Sequence, residues 1–143
     1  MPDPAGPHVY LWKKRLGRVP DWAWERTELE TLVLADNDLT EISGEIGCLK
    51  RLRMLDLGHN QLASVPDAIG GIEALTDFLY LHDNRLSGLP ASLARLTKLR
   101  YLNISDNALE TLPDCVCEMA GLVELRASGN RLTSLTDSIG KAR

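Results

Sequence analysis

Four side chains in the middle of the chain carry the groups from which a hydrolytic or metal centre is built. His59 and His82 lie 23 residues apart, and so do Asp83 and Asp106. If those intervals bring them onto neighbouring strands, about 4.8 Å apart, imidazoles and carboxylates would meet in one place. The competing reading is structural. Asp36, Asp83 and Asp106 each directly precede an asparagine, which marks them as recurrent turn residues bonding their own backbone. Ser105, beside Asp106, occupies the position held by Gly58 and Ser128 elsewhere, and no nucleophile, base and orienting group stand at a recognisable spacing. Cys115-Val116-Cys117 has a single residue between its thiols, where zinc pairs are usually separated by two to four and accompanied by a second pair. Gly70-Gly71 lacks a phosphate-loop pattern and reads as a tight turn. No catalytic residue, metal ligand or cofactor is assigned, and the chain is not read as an enzyme.

The elements that position these residues follow from an internal period. Asn37, Asn60, Asn84, Asn107 and Asn130 are spaced 23, 24, 23 and 23 residues apart. Each sits in the same apolar frame, as in Leu29-x-x-Leu32-x-Leu34-x-x-Asn37-x-Leu39 and Leu99-x-x-Leu102-x-Ile104-x-x-Asn107-x-Leu109. Alternation places both apolar residues of x-Leu-x-Leu-x on one face of a strand, which one strand cannot bury alone. Stacked copies bury it as a continuous core. The asparagine falls where the chain leaves the strand, and its amide can donate to and accept from backbone of adjacent turns, so the five are predicted to form a buried ladder. Second halves repeat as Val65-Pro66-x-x-Ile69, Leu89-Pro90-x-x-Leu93 and Leu112-Pro113-x-x-Val116, suited to irregular chain or short helical turns. In the third copy Leu75 lies four residues before Leu79 rather than three, which predicts a bulge near Thr76 and Asp77 that leaves Leu79 and Leu81 inward.

These motifs resemble the leucine-rich-repeat family, in the 23-residue form with a Leu-Pro-x-x-Ile second half found in Ras-group and bacterial intracellular repeat proteins. The resemblance covers about residues 9–139. It implies an α/β solenoid, a right-handed coil with a concave parallel sheet and short helical or irregular convex segments. The expected organisation is a tail at residues 1–8 and a repeat domain at 9–143. That domain comprises a cap-like repeat over 9–28 and repeats beginning near 29, 52, 75, 99 and 122. In the cap-like repeat Val9, Leu11, Leu16 and Val19 take core positions, Lys14 replaces the asparagine, and Trp22 and Trp24 read as a lid on the end of the core. At the other end Leu132, Leu135 and Ile139 carry the pattern to the last residues, so the array is expected to stop inside a truncated repeat. A fragment of a longer chain, or self-association through an uncapped apolar end, would account for that.

Composition bounds the class. The 143 residues are 44% hydrophobic, 25% charged and only 5% aromatic, with net charge −4, which points to an aliphatic core and against a dedicated nucleic-acid binder. The basic group Lys13, Lys14, Arg15 and Arg18 reads as a solvated edge of the cap. No run approaches the roughly 18 apolar residues of a membrane span, and the polar start, Met1 to Pro7, is unlike a secretory signal. Three cysteines do not make an even disulfide framework, so a reduced, cytoplasmic setting is expected, with a secreted effector lacking a cleavable signal left open.

Function is then sought on the outward strand positions. These form three columns across the coils: His8, Thr31, Met54, Phe78, Tyr101, Glu124; then Tyr10, Val33, Asp56, Tyr80, Asn103, Arg126; then Trp12, Ala35, Gly58, His82, Ser105, Ser128. All three tyrosines, the one phenylalanine and one tryptophan therefore project from a single sheet surface. Exposed aromatics are enriched at interaction hot spots, whereas cross-strand packing would be the purely structural use of them. The residues assigned to partner binding are Tyr10, Trp12, Met54, Asp56, Phe78, Tyr80, His82, Tyr101, Asn103 and Arg126. The expected function is a protein or peptide interaction module working through its concave face. The alternative is the recognition or regulatory arm of a larger enzyme, a kinase or ubiquitin ligase, whose catalytic part is not in this sequence.

Overall fold

A computed structural model describes residues 5–132 of the chain. Six three-residue strands, β1 (His8–Tyr10), β2 (Thr31–Val33), β3 (Met54–Asp56), β4 (Phe78–Tyr80), β5 (Tyr101–Asn103) and β6 (Glu124–Arg126), form one parallel sheet in sequence order. The register runs through equivalent positions: Val9 opposite Leu32, Leu55, Leu79, Leu102 and Leu125 in turn. Each strand alternates, so its middle side chain points inward and its two flanking ones outward. Leu32, Leu55 and Leu79 are fully buried and join Leu34, Leu57, Leu81 and Ile104 in one aliphatic core along the length of the coil. The sheet begins at His8, one residue inside the segment assigned to the tail, and the Pro7 carbonyl already accepts the Glu30 and Thr31 N–H groups.

On the convex side each of the first five coils closes through one helical turn. Four are 3-10 turns, Asp21–Glu25, Gly44–Cys48, Asp67–Gly71 and Ala91–Arg95, and the fifth, Asp114–Cys117, is α-helical. Pro20, Pro66, Pro90 and Pro113 precede four of them with φ between −60° and −72°, the value the ring imposes. The remaining turn starts at Ser43, whose hydroxyl accepts the Glu45 N–H at 3.1 Å. Neighbouring turns touch closely: a Cβ on Gly70 would stand 2.3 Å from the Ser92 carbonyl oxygen.

The extra residue of the third repeat is absorbed at Thr76 and Asp77. At three other junctions two consecutive N–H groups converge on one carbonyl of the preceding coil, as Val123 and Glu124 do on Arg100. Here Arg100 donates to Thr76 and Tyr101 to Asp77, one carbonyl each. Leu79 and Leu81 stay inward. At the N-terminal end Ala23 and Trp24 are buried, and Trp22 packs against the same core from a half-buried position. Leu132 is exposed, while Leu135, Ile139 and the truncated end with its proposed self-association lie outside the described residues.

Candidate functional site

The asparagine ladder fixes the outward columns, because it decides where each strand ends. Asn37, Asn60, Asn84 and Asn107 are buried, and Asn130 is half-buried. Each side-chain amide donates to carbonyls of its own coil and of the one before; Asn107 Nδ2 reaches the carbonyls of Leu81, Ile104 and Ser105 at 3.0–3.1 Å. Each carbonyl oxygen accepts backbone N–H groups from the preceding coil, as Asn60 Oδ1 does from Asn37 and Leu39. Lys14, which holds the asparagine position in the first coil, joins the ladder through its backbone, donating to Asn37 Oδ1 at 2.8 Å.

Just before the asparagine the backbone enters the left-handed region in every coil: Lys13, Asp36, His59, Asp83, Asp106 and Gly129 have φ between 53° and 71°. Aspartate tolerates this conformation better than most residues, which accounts for its recurrence here. The sequence reading of these aspartates needs correction in one respect. Among the described residues none of Asp36, Asp83 and Asp106 makes a side-chain hydrogen bond to its own backbone; Asp83 Oδ2 instead meets His59 Nδ1 of the preceding coil at 2.7 Å. The side chains that hold the turn are Asp56 and Asn103, whose oxygens accept the N–H groups of Gly58 and Ser105 two residues on, at 2.9 and 3.0 Å. These two site candidates thus shape the turn as well as facing outward.

On the concave face the structure brings Phe78, Tyr80 and Tyr101 together. Phe78 stacks on Tyr101 with ring centroids 4.9 Å apart and on Tyr80 at 5.5 Å, all three half-buried. With Leu102, Asn103, Glu124 and Arg126 they line a shallow hollow of about 310 Å³. Met54 flanks Phe78 across the sheet. Arg126 pairs with Glu124 at 2.6 Å, both exposed, and Arg100 lies 5.9 Å over the Tyr101 ring. Burial, then the Asp56 carboxylate, push the Tyr80 phenol above its ordinary 10.0, so it stays a neutral hydroxyl at physiological pH. The sequence reading left out Glu124 and Arg100 as site residues. Glu124 was visible in the same column as Tyr101, but its ion pair depends on side-chain direction.

Tyr10 and Trp12 are the most exposed aromatics of the face, 64% and 58%, and stand apart from the cluster. Trp12 instead borders a separate polar hollow with Asp36, Asp38, His59 and Asp83. His82 is half-buried rather than presented outward: it packs over Gly58 and edge-on to both His59 and Tyr80. A larger, open hollow of about 760 Å³ lies on the convex side, bordered by small residues such as Gly44, Ala68 and Gly71 with Lys50 and Arg95 at its rim. No aromatic side chain lines it, whereas Phe78, Tyr80 and Tyr101 line the concave hollow. Among the described residues, no group of three or more His, Cys, Asp or Glu side chains is disposed to hold a metal ion, and no helix is long and apolar enough to cross a membrane.

A family model described as leucine rich repeat matches residues 77–132, and a second, for two copies of the repeat, matches residues 27–70. Fibromodulin of Sus scrofa is 36% identical over 88 residues, which is 61% of this chain and 58% of that protein. A leucine-rich-repeat protein of Leptospira interrogans superposes with a TM-score of 0.84 at 24% identity, over 95% of this chain and 40% of that one. The plant peptide hormone receptor RGFR1, solved in complex with RGF2, superposes with a TM-score of 0.72 at 35% identity, over 87% of this chain and 21% of the receptor chain. The chain thus spans little more than half of this curated relative and smaller shares of the two solved neighbours.

Proposed function

Because this chain belongs to the leucine-rich-repeat family, whose members serve broadly as protein-interaction modules, we propose that it binds a peptide or protein segment on its concave face, with Phe78, Tyr80 and Tyr101 as anchors. The observation that carries this reading is the half-exposed aromatic stack around a shallow hollow, flanked by the exposed Glu124–Arg126 pair. So shallow a surface encloses a small metabolite poorly and suits an extended chain. Tyrosine offers a large rigid contact area at little entropic cost, with a hydroxyl for the rim. Met54 would extend the apolar contact and Arg126 would select among partners by charge. Tyr10 and Trp12 would be reached only by a ligand running along several coils.

The test compares variants in affinity for a partner captured by the intact chain, with circular dichroism of each. Tyr80→Ala is expected to weaken binding by ~2 kcal/mol or more, about 30-fold, with the fold retained. Lys50→Ala and Arg95→Ala on the convex side are expected to leave it unchanged. The opposite pattern defeats the concave-face reading.

A second reading rests on coverage: the chain matches 21% of a plant receptor chain, as the recognition arm of a larger protein, a kinase or ubiquitin ligase, would. Sequencing the transcript through the codon for Arg143 tests that. The free thiols of Cys48, Cys115 and Cys117 favour a reducing compartment, which imaging of the tagged full-length product would check.

A further inference from the structure

His82 is the one candidate whose surroundings do not match a role as an exposed contact. Its ring lies where the side chain of residue 58 would be: a Cβ on Gly58 would stand 2.6 Å from His82 Cε1 and 3.0 Å from Nδ1. Among the described residues, His82 Nδ1 is the one buried side-chain polar atom with no hydrogen-bond partner. The ring meets the Tyr80 ring edge-on, centroids 5.8 Å apart at 86°, and the His59 ring likewise at 4.7 Å and 87°. His59 is itself engaged with Asp83.

We propose that His82 is a protonation-sensitive wedge of the concave site: uncharged, its ring seats over Gly58 and braces Tyr80; protonated, it leaves that seat and releases Tyr80. The physical reason is the buried Nδ1. A second N–H on the imidazolium would point a charged donor into a seat that supplies no acceptor, and an unmatched buried charge is more costly than an unmatched neutral group. Acceptors lie just outside it. The charged or titratable groups facing the ring are Asp56 and His59 on the preceding coil, Tyr80 and Asp83 on its own, and Asp106 on the next. Burial, then His59, hold the imidazole below its ordinary 6.5, against the three carboxylates, which act to raise it. The sign follows. The seated state is fully populated above pH 6.5 and is lost as pH falls through the depressed folded value, because the unfolded or unseated ring binds the proton more readily.

The wedge matters for function only if the concave face binds, so it rests on that reading, yet its test needs no partner. The free chain is titrated by NMR with the His82 and Tyr80 rings followed separately. His82 is expected to titrate below 6.5, and the Tyr80 resonances to shift with the same midpoint. In His82→Phe, which keeps a ring over Gly58 without a titrating group, the Tyr80 shifts are expected to be flat across that range. Gly58→Ala fills the seat and is expected to give, at neutral pH, the Tyr80 resonances that the parent shows only after protonation. Tyr80 resonances indifferent to the His82 titration, or still pH-dependent in His82→Phe, overturn the wedge. That failure would leave the Tyr80→Ala affinity result untouched, and a failed affinity result would leave the titration standing. Should Gly58→Ala not fold, the parent and His82→Phe decide the matter.

Discussion

Replacing Asn60 with alanine isolates what the ladder contributes, because the consequences can be followed atom by atom. The side chain donates to the carbonyls of Leu34, Leu57 and Gly58. All three keep another donor when it is removed: Asn37 Nδ2 on Leu34, Asn84 Nδ2 on Leu57, and the Asp36 N–H on Gly58. The acceptor side has no such reserve. Asn60 Oδ1 takes the N–H groups of Asn37 and Leu39 at 2.9 and 3.0 Å, and both residues are fully buried, so water cannot replace it. Two buried donors left unpaired at about 1–3 kcal/mol each give a loss of about 2–6 kcal/mol. Asn130→Ala is the matched control. Its Oδ1 also accepts two N–H groups, of the buried Asn107 and Leu109, but both bonds are 3.2 Å long and Asn130 itself is half-buried where Asn60 is buried, so water entering the space it leaves should limit the loss to about 1 kcal/mol. Urea melts followed by circular dichroism and by tryptophan fluorescence measure both, and agreement of the two probes establishes whether the array unfolds as one unit. Equal losses for Asn60→Ala and Asn130→Ala, or a loss at Asn60 under 1 kcal/mol, would refute the argument from unpaired donors.

Three further outcomes follow from the packing. Leu102→Ala is expected to cost ~2–5 kcal/mol in the same melts, since it opens a cavity between coils at a position 1% exposed. Gly70→Ala forces a Cβ to within 2.3 Å of the Ser92 carbonyl oxygen, so the Asp67–Gly71 and Ala91–Arg95 turns must separate; a loss of stability well above that of Gly88→Ala, where nothing lies within 4 Å, is the expected result. Cys48 is exposed and Cys115 buried, and burial raises the Cys115 thiol above 9.0, so alkylation at pH 8 is expected to be complete at Cys48 while Cys115 reacts only on unfolding. Mass spectrometry of partly labelled protein reads this directly.

The inward half of the structure was legible in the sequence because every coil repeats it. Leu32, Leu55, Leu79 and Leu102 pair in register, and one wrong assignment would have put a polar column into the core. The spacing of the asparagines therefore located the strand ends, and even the extra residue at Thr76 and Asp77 could be placed, since only that position kept Leu79 and Leu81 inside. The same repetition hid what differs between coils. Asp36, Asp83 and Asp106 looked alike in sequence, and backbone-bonding aspartate was the obvious common role. The carboxylate of Asp83 instead answers to its neighbour His59, which the coils carrying Asp36 and Asp106 do not supply in the same place.

The concave columns show the same division more sharply. Alternation established that Tyr80, Tyr101 and Phe78 face outward, but not that Phe78 stacks on both tyrosines or that Tyr10 and Trp12 stand apart from them. Those facts depend on side-chain direction over the sheet, where several arrangements satisfy the same register. His82 is the clearest case. Its column gave it an outward place equivalent to Ala35 and Ser105, and a histidine there reads as an exposed specificity contact. The reason lies one coil away: Gly58 has no side chain, and the His82 ring takes the place its Cβ would occupy. A residue whose conformation is set by the absence of a side chain on its neighbour leaves no periodic trace. Such positions are fixed by pairs of coils rather than by the repeat, which is why the fold could be read from spacing while the arrangement of the concave side chains could not.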